Sequence, residues 1–366
     1  MECARYLVNK KAIIFINLGT PNSPEVGDVR AYLREFLSDP LVIDINATLR
    51  WMLVNFIIAP FRSRKSSQAY KKVWTEEGSP LLVYSEKFVD KINLHLQGTN
   101  TQAFLCMRYG KPSMEEVFKE VGEGGFDQVT LFPLYPQYAL SSTQTVMNKA
   151  RYMLHLLKTD NVDWVQPFFD QPYFIKPLAE TIKRVVREEE LDYLLYSFHG
   201  LPERHISKIP GCESCSFDDS CCVKPEERLT YCYRAQCLRT MDALRSESDT
   251  EAVGHSMSFQ SRLGSGWLEP FTDVMFSEIA DSGVKRLGVV CPAFVADCLE
   301  TLEEIEMEGH NQFVDAGGDQ LVLVPCLNDD ELWVKMVGDA IIEGTLDTLK
   351  MPVYQPATGP MQEVKA

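Results

Sequence analysis

Cationic side chains are scarce in this chain. Its 366 residues carry 36 Lys and Arg against 52 Asp and Glu, a formal net charge of −16 at pH 7. A field of that sign repels polyphosphate, so nucleic acid is not expected as a partner, and cations or a metal ion are favoured instead. Long apolar runs are missing too: no stretch reaches the roughly eighteen residues that a membrane span requires. The nearest candidate, residues 51–61 (Trp-Met-Leu-Val-Asn-Phe-Ile-Ile-Ala-Pro-Phe), is too short. It reads equally as a core helix or as an apolar lip touching a membrane or an apolar ligand. Residues 1–11 are polar and lack the apolar centre of a secretion signal. The expected location is therefore the cytoplasm, with any membrane contact peripheral. In that reducing compartment disulfides do not persist. Low-complexity segments and short repeats are also absent.

What is present is ordinary for a globular protein: 45% hydrophobic and 24% charged residues, in a chain long enough to bury two cores. Short, nearly continuous apolar runs fall at 12–18, 103–109, 128–134, 192–198, 253–259, 285–291 and 320–325. Such runs suit parallel strands covered on both faces. Helical patterns lie between them, at 113–122, 142–157, 173–190 and 273–282. The alternation predicts an α/β fold of two similar parallel-sheet lobes flanked by helices. The expected divisions are 11–166, with the apolar lip at about 41–80, then 167–345, then a flexible tail at 346–366. A hinge is expected at 167–177, which holds three prolines. Ligands in such sheets bind at the carboxyl ends of strands. Gly19-Thr20-Pro21, Arg108-Tyr109, Leu134-Tyr135-Pro136, His199-Gly200 and Pro292-Ala293 all follow strand candidates.

Two of these features carry chemistry. His199, in Ser197-Phe198-His199-Gly200-Leu201-Pro202, presents an imidazole at a strand end, able to accept a proton near neutral pH. About a hundred residues later, Asp297, Glu300, Glu304 and Glu308 share one face if the segment is a regular helix. Clustered carboxylates raise one another's pKa, relay protons and offer hard ligands to a divalent ion. Glu303 and Glu306 read as a solvated face, and Leu299, Leu302 and Ile305 as the buried stripe.

Eleven cysteines complete the inventory. Cys3, Cys106, Cys291, Cys298 and Cys326 read as buried small hydrophobes. The others form Cys212-x2-Cys215-x5-Cys221-Cys222-x9-Cys232-x4-Cys237 in a polar insert at 207–238. Several thiols in one short loop of a reduced protein point to metal.

These motifs resemble the ferrochelatases, enzymes that insert ferrous iron into a porphyrin. The resemblance covers roughly residues 11–345. It is carried by Asn17-Leu18-Gly19-Thr20-Pro21, Gly78-Ser79-Pro80, Met107-Arg108-Tyr109, Leu134-Tyr135-Pro136-Gln137-Tyr138, the His199 motif, Ser258-Phe259-Gln260-Ser261-Arg262, Trp267-Leu268-Glu269-Pro270 and residues 297–305. It implies two Rossmann-like lobes enclosing a cleft, with porphyrin and Fe2+ as substrates. It makes His199 the base that removes pyrrole protons, or the group that holds the macrocycle bent. Glu300 and Glu304, with Glu308 behind them, would carry protons away or guide iron. By the same resemblance Arg62, Lys65, Tyr70 and Ser79 lie near the porphyrin propionates, Leu18, Tyr135 and Trp267 line its plane, and Arg108 and Tyr109 face the iron side.

Ferrochelatases acting on coproporphyrin usually carry tyrosine where this chain has Leu18, so protoporphyrin IX is the expected substrate and coproporphyrin III the alternative. Some relatives bind a [2Fe-2S] cluster. Here no cysteine follows Cys326, so a cluster would be held within the insert, by Cys212, Cys215, Cys222 and Cys232, with Cys221 as alternate to Cys222. Structural zinc is the other option for four thiolates. Cys237 matches a cysteine of relatives without a cluster. The rival readings are a cobalt or nickel chelatase, disfavoured by only six histidines, a haem- or metal-binding protein without catalysis, and a cysteine–metal interaction module on an inert scaffold.

Overall fold

The computed structural model describes residues 9–223, 230–250 and 252–351. Cys3, part of the cysteine-rich insert (224–229) and most of the expected tail (352–366) lie outside them.

Strand β1 (Lys11–Asn17) shows why the apolar runs are unbroken. Its side chains alternate between two cores. Ile13 and Phe15 pack with Phe88, Ile92 and Phe132; Ala12, Ile14 and Ile16 pack on the other face with Cys106, Phe118 and Val146. A strand covered on both sides has no polar face to show in its sequence. β1 lies between β2 (Thr101–Met107) and β3 (Gln128–Pro133), parallel to both, and β4 (Val162–Val165) continues the sheet beyond β3.

The second sheet repeats the plan. β5 (Tyr193–His199) lies between β6 (Gly254–Gln260) and β7 (Arg286–Val290), with β8 (Gln320–Val324) outside β7, all parallel. The strand orders, β2-β1-β3-β4 and β6-β5-β7-β8, are the same pattern. In each the order reverses beside the first strand, which opens a crevice outside the carboxyl ends there.

Two short strands escaped the sequence reading. β4 is a four-residue run interrupted by Asp163. β9 (Thr348–Lys350) falls within the expected tail and pairs antiparallel with β4, closing the first sheet.

One core joins the lobes. The helix Pro172–Glu188 buries Phe174, Leu178, Ile182 and Val185 along one stripe, and Pro172 in its first turn forfeits no helical hydrogen bond. Phe168 and Tyr173 meet Trp333, which stacks on Phe88 at 5.3 Å, and Tyr196 and Phe198 of β5 share the same core. Each such fully buried side chain contributes roughly 1.5–3 kcal/mol by transfer from water.

Residues 47–73 form one continuous helix with a wide π-wound middle: Ala47–Met52, Leu53–Ile58 and Ala59–Val73. Pro60 accounts for the widening, because its ring and missing N–H break the regular ladder one turn back. Val54 anchors the segment, while Trp51, Ile57, Phe56 (62% exposed) and Phe61 (76% exposed) face outward. Residues 51–61 are thus an apolar lip and not a core helix. Among the described residues no helix is long and apolar enough to cross a membrane.

Candidate active site

Both crevices carry chemistry-bearing side chains, and they face each other. Two glycines shape their floors. Gly19 follows β1 at φ 109°, and a Cβ there would lie 1.7 Å from the Tyr109 carbonyl oxygen. Gly200 follows β5, donates to the Gln260 carbonyl at 2.8 Å, and would meet that oxygen at 2.6 Å if it carried a Cβ. Only glycine permits either backbone approach.

His199 ends β5 beside Phe294, which follows β7, with ring centroids 6.2 Å apart. Its Nδ1 lies 2.7 Å from the Gly200 carbonyl. A carbonyl only accepts, so Nδ1 donates and the neutral ring keeps its lone pair on Nε2, ready to take a proton. The Tyr233 hydroxyl donates to the His199 carbonyl at 2.8 Å. Gln260, at the end of β6, links the histidine to the acids. It accepts from Ser197 on β5 at 2.8 Å and donates to the Glu300 carbonyl at 2.8 Å.

Glu304 is held by Ser261, whose N–H and hydroxyl donate at 2.7 and 2.6 Å. Ser261 adopts φ 61°, a left-handed turn that aims both donors at one carboxylate. Burial raises the Glu304 pKa; Ser261 and the His199 charge oppose it, and Glu300 adds to it. Glu300 reaches across to the first lobe. The Tyr70 hydroxyl is raised well above its usual pKa by burial and then by Glu300, and the Tyr32 hydroxyl by burial, Tyr70 and Glu300.

The rest of the acidic row disperses. Leu299–Thr301 is one α-turn, and Leu302–Gly309 is π-wound. Winding that brings residues five apart together turns Glu303 and Glu308 toward one partner, Lys72, at 2.6 and 4.0 Å. Glu308 therefore leaves the row, and Glu303 is a buried ion-pair partner and not a solvated charge. Asp297 is also engaged elsewhere. It accepts from Asn328 Nδ2 at 2.7 Å, Thr301 at 3.0 Å and the Cys326 N–H at 3.4 Å. The expected buried stripe splits as well: Leu302 and Ile305 join one core, and Leu299 the cluster around Leu18, Tyr32, Tyr70 and Tyr109.

The first lobe supplies that cluster and a polar wall. Tyr135 carries a buried hydroxyl with no hydrogen-bond partner among the described residues. Ser79 is buried and shares a 2.7 Å hydrogen bond with Thr20. Arg62 and Lys65 are exposed on the helix Ala59–Val73, whose Tyr70 is buried. Trp267 bridges to Pro202 beside the His199 loop. Arg108 and Tyr109 converge on Asp39, which no sequence motif signalled. Its Oδ2 accepts from Arg108 at 2.5 Å, Thr145 at 2.5 Å and Tyr109 at 2.9 Å.

The insert lies against the same region through Cys232, which precedes the helix bearing Tyr233. No disulfide joins any described cysteine. Burial pushes the Cys222 thiol up to about 11 against the Arg234 charge, with Cys232 and Cys215 adding to the rise. Burial likewise takes Cys232 up to about 12, with Cys212 and Cys215 contributing. The four thiols are thus electrostatic neighbours. Arg234 donates to Cys222 Sγ at 3.2 Å and the Phe217 N–H to Cys215 Sγ at 3.4 Å. Among the described residues, no three His, Cys, Asp or Glu side chains gather closely enough to hold one metal ion.

Comparison with known proteins bears on the fold and the family. SirB from Bacillus subtilis, solved with Fe3+, superposes with a TM-score of 0.52 at 12% identity, covering 92% of this chain and 99% of that one, a likeness of fold alone. A ferrochelatase of Pseudomonas savastanoi pv. phaseolicola is 45% identical over 327 residues, 88% of this chain and 95% of that protein. One of Pseudomonas aeruginosa is 44% identical over 337 residues, 91% of this chain and 97% of that protein. The ferrochelatase family profile matches residues 10–345, and the chain belongs to the ferrochelatase family.

Proposed function

We propose that this protein inserts Fe2+ into protoporphyrin IX, forming protohaem and releasing two protons. The observation that carries this reading is the convergence of His199, Glu300 and Glu304 at one switch point, facing the Leu18–Tyr70–Tyr109 wall of the other. The metalation requires two pyrrole N–H protons to leave as two Fe–N bonds form. His199 Nε2 takes protons at the ring, and Glu300 and Glu304 carry them away or pass iron inward. The raised Glu304 pKa suits a group that must both take and release protons. Leu18, Tyr135 and Trp267 offer flat, mostly apolar contact to the macrocycle. Tyr70 and Ser79, with Arg62 and Lys65 at the rim, receive the propionates. Arg108 and Tyr109, braced by Asp39, face the iron side.

Leu18 in an apolar cluster favours protoporphyrin IX over coproporphyrin III. Glu300→Gln is expected to lower kcat about 100-fold while porphyrin affinity stays within about twofold. Unchanged turnover would remove Glu300 from the mechanism, and faster turnover of coproporphyrin III would reverse the substrate assignment.

The exposed lip at Trp51, Phe56 and Phe61 suits peripheral contact with a membrane from the cytoplasm. In the insert, Cys212, Cys215, Cys222 and Cys232 hold a [2Fe-2S] cluster. What supports this is donor type and not a formed site: four soft thiols in one insert, with an N–H and a guanidinium directed at sulfur. The thiols must draw together on binding, because no three of them gather closely enough among the described residues. Metalation transfers no electron, so the role is structural or iron-sensing, and a structural one would brace His199 through Tyr233. Protein purified without oxygen should show visible absorption and equimolar iron and sulfide, lost in Cys232→Ser. A colourless protein containing zinc would replace the cluster with a zinc site.

A further inference from the structure

Asp44 draws more ion-pair partners than any catalytic step requires. It lies in residues 39–46, between the helix Val26–Leu37 and the lip helix, with a side chain only 10% exposed. Two cationic side chains and a buried imidazole of the other lobe close on it. Arg204 Nε and its terminal amine reach Oδ1 at 2.9 and 2.8 Å, Lys208 bonds Oδ2, and His205 Nε2 lies 3.5 Å from Oδ2. All three stand at 204–208, directly after the His199 loop and before Cys212.

The same segment is gripped at its other end by the first lobe, where Asp39 accepts from Arg108, Tyr109 and Thr145. Between the two acids, Val42 and Ile43 pack on the cluster that holds Leu18 and Tyr70. Arg50, in the lip helix, donates to the Ile43 and Ile45 carbonyls at 3.2 and 2.9 Å. Residues 39–44 are therefore a strap with one end on each lobe, an apolar underside against the site, and the lip attached to it. The forked Arg204 contact fixes orientation as well as distance. Burial pushes the Asp44 carboxyl up, but hydrogen bonds from Arg204 and Lys208 override it and hold the group well below the usual carboxylate range.

We infer that Asp44 is a positioning residue for porphyrin binding: it latches the lip strap to residues 204–208, which follow the His199 loop, and so sets the gap between lip and histidine. The inference rests on the porphyrin site proposed above. A rigid planar ligand rewards a preset gap, and an unlatched lip must be ordered again at each binding event. Asp44 touches no reacting atom, so its loss falls on KM and not on kcat.

The test uses the full chain. In Asp44→Asn the porphyrin KM is expected to rise about tenfold, with kcat and the iron KM within about twofold of wild type. Asp44→Glu should recover most of the loss. Lys208→Ala should weaken porphyrin binding in the wild type but add nothing in the Asp44→Asn background. Hydrogen exchange of residues 41–52 should quicken in Asp44→Asn while the β1 and β5 amides keep their protection. Unchanged exchange would show that no latch exists. Faster exchange with an unmoved KM would show a latch without positioning, and a fall in kcat alone with exchange faster throughout would show a merely structural role. Each of these overturns the inference. Failure of the wild type itself to metalate porphyrin would overturn the underlying reading, and is seen before any variant is made.

Discussion

A single hydrogen bond decides what His199 can do. Nδ1 is committed to the Gly200 carbonyl, so the neutral ring offers Nε2 as a base. Glu304 presents the complementary case, a carboxyl held partly against its charge. Its folded pKa is raised, so between the ordinary carboxyl range and that raised value the native state binds more protons than the unfolded one. The stability this contributes is present at low pH and is lost as pH rises through the folded pKa. Glu304→Gln removes the charge and can keep the Ser261 contacts, so its stability relative to wild type should improve from an acidic to a near-neutral pH, as the pH rises through the raised folded pKa. Urea unfolding of both proteins at the two pH values checks this; a difference that does not change with pH would contradict it. His199 and Glu300 could be proposed from the sequence because each stands in a motif that follows a strand. Asp39 was not, since the residues it binds, Arg108, Tyr109 and Thr145, lie far along the chain. Gln260 and Ser261 stood in a recognised motif, but only the folded contacts reveal that Gln260 meets the Glu300 backbone and Ser261 the Glu304 carboxylate.

Elements were readable where their periodicity was regular. The parallel strands showed as apolar runs because both faces are buried, whereas β4 and β9 are too short for a pattern to emerge. The π-wound stretches at Leu53–Ile58 and Leu302–Gly309 defeated the reading for a different reason. Expecting four acids on one face assumes 3.6 residues per turn, and a widened turn redistributes them. It sends Glu303 and Glu308 to Lys72 and leaves Glu300 and Glu304 to the site. In the lip, the same composition fitted burial and exposure equally, and only the fold decided between them. Because Phe56 and Phe61 are exposed, Phe56→Ser with Phe61→Ser should change unfolding free energy by no more than about 0.5 kcal/mol. Binding to lipid vesicles should nevertheless fall. A loss of several kcal/mol would mean that the lip is packed in solution.

At the scale of the whole molecule, two sheets with the same strand order meet at their switch points, and each brings what the other lacks. The second lobe supplies the proposed base and acids, His199, Glu300 and Glu304; the first supplies the apolar wall, the lip and the exposed cations. Ion pairs tie the lip helix across at both ends, Asp44 to Arg204 and Lys208 near its start and Lys72 to Glu303 near its finish. The most direct measurement is an oxygen-free absorption time course of the protein with protoporphyrin IX and Fe2+, in the wild type and in His199→Ala. Wild type should convert many equivalents of porphyrin to haem, and His199→Ala should bind porphyrin yet convert it at least about 100-fold more slowly. Tight porphyrin binding without turnover in the wild type, or undiminished turnover in His199→Ala, would contradict a metalation centre built on this histidine.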